Sequence, residues 1–312
     1  MKKSLIALAV LGASGVAMAQ SSVTLYGVAD AGVGKVKYGA PAGNDANGKN
    51  QFIANSTMNN GNSRVGVRGV EDLGGGLKAG FNFETGLDLD NGNADAVFWQ
   101  RNANMWLGGN WGTVKLGRTL NPTFYGIAAW ELTGTANYSV VANTYSFAGA
   151  GPRNNSQLSY KTPDMGGFSA EVGYILKSDN ADRAKWDLNL IYANGPIGVG
   201  LSANKTKGIN TNYSLGAKYS FSNFALAASY TNANNAANLR RRGFGIGGSA
   251  TFGAFALTVD LTRDTKNEWT GKKYTNGVVE GKYALSKRTF VYGAFLRLDG
   301  TNNYGIGVRH NF

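Results

Sequence analysis

The 312-residue sequence contains no cysteine, five prolines and a single histidine, His310. Without cysteine there can be no disulfide scaffold, no thiolate metal site and no thiol nucleophile. A serine–histidine catalytic pair would have to use His310, two positions from the last residue, and no histidine–carboxylate metal cluster can be assembled. The acidic pair Glu71-Asp72 sits beside the short turn Leu73 to Gly76 and reads as solvated turn residues. No cofactor, metal or enzymatic activity is therefore expected. Past the first 19 residues, no segment approaches the roughly 18 to 20 apolar residues that a membrane helix needs. If the chain crosses a membrane, it does so as strands.

Acidic residues are also scarce, 19 against 31 lysines and arginines. The start, "MKKSLIALAVLGASGVAMAQ", has two lysines, a short apolar run and Ala17-Met18-Ala19, the pattern of a secretory signal peptide cleaved after Ala19. Removing Lys2 and Lys3 leaves 29 basic residues against 19 acidic ones over residues 20–312, a formal surplus of ten positive charges. An exported protein does not ordinarily meet nucleic acid, and no single basic tract dominates. Small soluble anions and lipopolysaccharide fit this charge better as partners.

What is abundant is glycine, 45 residues, and aromatics, 12% of the chain. Glycine without proline or a three-residue repeat is not collagen, and the aromatics argue against disorder. From Val23 onward, segments of about ten residues alternate in polarity, as strands with two unlike faces do. In "LKAGFNFETGLD" Leu77, Ala79, Phe81, Phe83 and Leu87 oppose Lys78, Asn82, Glu84 and Asp88; in "NYSLGAKYSF" Tyr213, Leu215, Ala217, Tyr219 and Phe221 oppose Ser214 and Lys218. Tight connections such as "LGGG", "NGP" and "SKR" alternate with long polar ones such as "SDNADRAK" and "DTKNEWTGKK". A soluble sandwich or propeller would also alternate. The signal peptide, aromatics at strand ends and the terminal Phe312 favour instead an all-β transmembrane antiparallel barrel of about sixteen strands, wide enough for an aqueous channel.

Two stretches break the pattern. The chain ends on "NNYGIGVRHNF", with Tyr304, Ile306, Val308, His310 and Phe312 on one parity, so the last strand is needed to its final residue and His310 faces the outer side of the wall or the interface. Residues 119–152 form a connection too long for a hairpin and rich in apolar groups, among them Phe124, Ile127, Trp130, Tyr138, Val141 and Tyr145. A loop in water gains nothing from them, whereas one folded into the channel buries them at about 25 cal/mol per Å². The glycine-rich "GFGIGG" at Gly243 to Gly248 has no following helix and reads as small residues in a barrel wall. Arg240-Arg241-Arg242 falls at the long-loop end of a strand, as a solvated rim or a site for lipopolysaccharide phosphates.

The stretches "SSVTLYGVADAGV", "SRVGVRGVEDLGGGLKAGFNFE", "GTVKLGR", "RNNSQLSY" and "GVRHNF" resemble the general porins of Gram-negative bacteria, in particular the β-proteobacterial (Neisseria and Burkholderia-type) porins. The resemblance runs from Ser21 to Phe312. It implies a homotrimer of sixteen-stranded barrels in the outer membrane, each narrowed by its third loop, with the terminal strand and its Phe312 read by the barrel-assembly machinery.

Alternation within each strand selects the pore lining. Val65 and Val67 on the lipid side turn Arg64 and Arg68 inward, and Leu158 and Tyr160 turn Arg153, Gln157 and Lys161 inward. Arg101 is placed with them by the resemblance, which implies arginines opposite the third loop. Crowded like charges would push a lysine to lose its proton, whereas guanidinium keeps it. Glu131, the only carboxylate of the third loop, is expected to face Arg64, Arg68, Arg101 and Arg153 across the constriction, with Lys78, Lys161 and Lys218 lining the pore. The expected function is passive diffusion of small hydrophilic solutes and ions, with anions preferred. A substrate-specific channel for organic anions or phosphate is the alternative, and a closed adhesive barrel is a third.

Overall fold

The computed structural model describes residues 21–37 and 48–312. The expected signal peptide, residues 1–19, lies outside the described residues. The strands are β1 Ser22–Lys35, β2 Asn50–Ala54, β3 Arg64–Gly74, β4 Leu77–Gly86, β5 Asn102–Gly109, β6 Gly112–Leu120, β7 Arg153–Lys161, β8 Phe168–Ile175 and β9 Lys185–Asn194. They continue as β10 Ile197–Thr206, β11 Asn212–Phe221, β12 Phe224–Asn234, β13 Arg240–Phe252, β14 Phe255–Asn267, β15 Thr275–Ala284, β16 Thr289–Leu298 and β17 Thr301–Asn311. Every strand pairing is antiparallel, and β1 bonds to β3 through Ser22–Val28 and to β17 through Val28–Lys35, so the sheet closes on itself. Sixteen strands make the wall. The seventeenth, β2, is a short strip inside the first long connection that pairs with Ala31–Lys35.

Closure leaves no sheet edge, and alternation then sends one face to lipid and the other to water. Val23, Leu25 and Val33 of β1 are 71, 69 and 54% exposed on the outside, while Asp30 between them is fully buried inside. Aromatics gather at the short-turn end of the outer wall: Trp111 stacks on Tyr160, Phe168 packs on Tyr192, and Phe221, Phe224 and Phe252 form a continuous row. Such rings hold the interface between headgroups and hydrocarbon. At the other end the early connections are long, but those from β10 to β11 and from β12 to β13 are short, and Asp299 and Gly300 alone join β16 to β17. The expectation of long loops throughout that end fails at these connections.

The wall closes at the terminal residue. Gly27 N–H donates to the Phe312 carbonyl at 3.0 Å, and Phe312 N–H donates to the Gly27 carbonyl at 3.1 Å. The Phe312 ring lies over Gly27, where a Cβ would collide with its Cζ, and stacks on His310. His310 sits on the outer face, with Nδ1 2.9 Å from the Thr289 hydroxyl.

The connection between β6 and β7 folds into the barrel. Asn121 caps helix α1, Pro122–Ala128, by accepting from Phe124 N–H at 2.8 Å, and Pro122 at its first turn needs no N–H partner. Ser139 caps the second helix, α2, Val140–Tyr145, which ends on Ser146 in the left-handed region at φ 48°. The apolar residues face the inner wall: Ile127, Trp130, Tyr138, Val140, Val141 and Tyr145 are all buried. The wall is shaped to receive them. Gly200 carries no Cβ that would collide with the Gly126 carbonyl, and Gly216 leaves room for the Trp130 ring. Wall polar groups complete the attachment, with Asp187 accepting from Thr123 N–H at 2.9 Å and Thr123 Oγ1 at 2.6 Å, and Thr144 Oγ1 2.9 Å from Thr262 Oγ1.

Candidate functional site

The third connection covers the inner wall from β9 to β16, so the open bore lies between it and the strands from β17 through β1 to β7. A cavity of about 290 Å³ lies on this passage, lined by Arg64, Arg101, Arg153 and Arg309 on the wall and by Gly134, Thr135 and Asn137 on the loop. Register explains the convergence. Arg64 pairs with Val28, Asp30 pairs with Arg309, and Val28 and Asp30 share the inner face of β1. Arg101 precedes β5 and pairs its Nε with Glu84 Oε1 at 2.7 Å, while Arg64 Nε lies 3.5 Å from Glu84 Oε2. Arg153 opens β7 and donates from Nε to the Arg101 carbonyl at 2.8 Å.

Arg64, Arg101 and Arg153 thus meet in one passage, and the other expected residues lie elsewhere. Arg68 faces inward but further down β3, stacked on the Tyr26 ring at 5.1 Å. Lys78, Lys161 and Lys218 occupy inward positions on β4, β7 and β11, away from the arginines. Glu131 does not face the arginines. Its oxygens accept from Thr133 Oγ1 at 2.6 Å and Thr135 N–H at 2.7 Å, it is buried, and its charged neighbours are Asp260 and Glu280 of the opposite wall. A carboxylate in a turn rich in threonine and backbone N–H groups satisfies itself locally. One member of the arginine run is corrected: Arg241 is fully buried and bonds Asp264 at 2.9 Å and Asp299 at 2.5 Å, so it is no solvated rim residue, while Arg240 and Arg242 on either side stay partly exposed.

Sequence reasoning missed Glu84, Arg309 and Asn60 to Asn62. Arg309 donates to Asn60 Oδ1 at 2.9 Å, and Glu84 also accepts from the Tyr26 hydroxyl at 3.0 Å. The parity that puts His310 outside puts Arg309 inside, so its signal was present. Nothing in the polar stretch 55–63 marks it as interior. Tyr125 of α1 stands beside both Arg153 and Glu171, and burial, followed by the Glu171 charge, pushes its phenol up to about 12. It is therefore a neutral wall of the bore.

A family profile described as Gram-negative porin matches residues 4–303. The chain is 37% identical to outer membrane porin protein 32 of Delftia acidovorans, covering 99% of this chain and 93% of that one. It is 30% identical over full length to an outer membrane porin protein of Bordetella pertussis. Among solved structures, the anion-selective porin from Comamonas acidovorans superposes with a TM-score of 0.77 at 28% identity, covering 94% of this chain and all of that one. The closed barrel, its inward-folded third connection and these matches agree: the chain belongs to the Gram-negative porin family and is an outer-membrane channel.

Proposed function

We propose that this porin is an anion-selective diffusion channel working as a homotrimer, with residues 1–19 removed on export and 119–152 setting the bore. The observation that carries the reading is the charge of the passage. Four guanidinium groups, Arg64, Arg101, Arg153 and Arg309, share it, and the carboxylates beside them are Glu84 and Asp30, a surplus of two positive charges. Low-dielectric walls focus such a field and concentrate anions, while several weak sites let each ion leave. The anion-selective Comamonas porin, similar over nearly the whole chain, supports the same sign of selectivity.

For the trimer, Val97, Phe98 and Trp99 in the connection before β5 are 64, 55 and 38% exposed, an apolar patch that a second subunit would cover. Lipopolysaccharide and the barrel-assembly machinery complete the partners in this reading, the latter through the Phe312 strand. No catalytic role is proposed, since His310 lies on the outer wall. The deciding measurement is the reversal potential of single channels in a potassium chloride gradient. Wild type should favour chloride, and R64S/R153S should lower that preference most at low salt, because the Debye length is about 10 Å at 0.1 M and about 3 Å at 1 M. A potassium-selective wild type overturns the reading. Conductance that saturates with one solute, rather than rising with salt, would favour the substrate-specific alternative.

A further inference from the structure

A second pocket of about 250 Å³ opens on the inner wall toward the short-turn end, lined by Trp106, Thr113, Lys115, Ser159, Lys161 and Glu171. It sets an indole beside two lysines. Among the described residues the strands carry two tryptophans, Trp106 and Trp186; Trp186 pairs with the exposed Tyr174 on the outer face, and Trp106 points inward, where it pairs across the sheet with Gly80 and Lys115. Its indole lies flat over Gly80, where a Cβ would come within 2.5 Å of Cε2 and Cζ2. An indole is thus held among the inward-facing polar side chains Thr113, Lys115 and Ser159.

Charge completes the pocket. Lys115 and Lys161 face it against one carboxylate, Glu171, which is buried, hydrogen-bonded to Ser159 and close to both lysines. One positive charge is left over. The Lys115 ammonium also stands 6.0 Å from the centre of the Tyr125 ring. Tyr125 in turn neighbours Arg153, so the pocket is the next basic station below the arginine passage.

We propose that this pocket is a binding subsite for aromatic carboxylates, with the solute ring against Trp106 and its carboxylate between Lys115 and Lys161. The inference rests on the anion-channel reading and adds a preference that the arginines alone do not give. An arginine cluster attracts acetate and benzoate alike through their shared carboxylate, whereas a ring platform next to a cation surplus distinguishes them. The volume falls below the roughly 300–1,000 Å³ of pockets for drug-sized ligands, which suits a single ring.

The test is block of single-channel chloride current by sodium benzoate and sodium acetate at equal ionic strength. Benzoate should half-block at a roughly fivefold lower concentration than acetate, the size of one aromatic contact. W106L should close that gap and W106F should keep most of it, which separates loss of the ring from misfolding. K207Q, in a connection far from the pocket, should block as wild type does. Equal block by the two acids in a chloride-selective wild type overturns the subsite and leaves the anion channel standing, and a gap that survives W106L overturns it too. A potassium-selective wild type overturns the channel reading itself.

Discussion

Removing Phe312 should open the seam of the barrel, and the structure gives the size of the effect. Two backbone hydrogen bonds at 3.0 and 3.1 Å join Phe312 to Gly27. Each contributes about 1 kcal/mol net in water, and an unpaired backbone group in hydrocarbon costs several times that. The residue is 48% exposed, so about half of its surface is covered. For a phenylalanine that is on the order of 100 Å², or about 2.5 kcal/mol. Deletion should therefore cost about 4–5 kcal/mol. F312A keeps both hydrogen bonds and should cost about 2 kcal/mol, and G27A, whose methyl would meet the ring, about 1–3 kcal/mol through overpacking.

The assay is refolding from urea into lipid vesicles without assembly factors, read by heat-modifiable migration, alongside trimer yield in cells. The seam argument requires the deletion to fall clearly below F312A in vesicles. Equal loss in the two variants would mean that the hydrogen bonds contribute nothing. Refolding of both like wild type, with failure only in cells, would make Phe312 a recognition signal alone.

Three further outcomes follow from the lumen. R241M leaves Asp264 and Asp299 without their cation and should cost about 3–5 kcal/mol, read as a lowered urea midpoint that R241M/D264N/D299N partly restores; an unchanged midpoint refutes the role of the ion network. E84Q removes one of two carboxylates beside the arginines and should raise chloride preference roughly two- to threefold at low salt, whereas E131Q should leave it alone; the reverse order would return Glu131 to the constriction. Burial raises Tyr125, Tyr138 and Tyr145 above the ordinary phenol, Tyr125 to about 12, so these groups hold protons more tightly folded than unfolded. Their contribution to stability is complete below about pH 10 and is lost as pH rises further, for Tyr125 up to about pH 12. Y125F should flatten part of that alkaline slope in urea titrations, and an identical slope would count against it.

The barrel was legible because its strands must present unlike faces to lipid and water, a demand that writes a period of two into the sequence. The inward folding of residues 121–152 was legible for a related reason, since Trp130, Tyr138 and Tyr145 had no other place to be buried. The inner part of the first connection was not. "NSTMNNGN" reads as solvent-exposed, yet Asn59 donates to Asp30 Oδ1 at 3.2 Å and Gly61 N–H to Asp30 Oδ2 at 2.8 Å, and the segment is buried. Polar composition does not distinguish hydration from a satisfied interior. Alternation also fails at an inserted residue. Gly117 pairs with Gln157 but Thr119 with Asn154, so counting by twos from Leu158 to Arg153 crosses a bulge near Ser156, whose φ is 45°. Arg153 reaches the passage from the strand end, by a route that parity does not describe.

Glu131 shows why charge placement is harder to read than strand faces. The sequence offers one carboxylate in the loop and several arginines on the wall, and opposite charges invite pairing across the bore. Pairing, however, is settled by what lies within reach of the carboxylate. Thr133 and Thr135 lie two and four residues away and take both oxygens of Glu131, while Glu84 sits two strands from β1 beside Arg101 and Arg64. The counter-charge of the arginines is therefore on their own wall. Across the passage stand Gly134, Thr135 and Asn137, with no carboxylate among the lining residues. A passing ion thus meets a partly compensated basic wall on one side and neutral polar groups on the other. In the proposed anion channel such an arrangement would hold anions to one side of the bore without a matching lane for cations, which an acidic loop would have supplied.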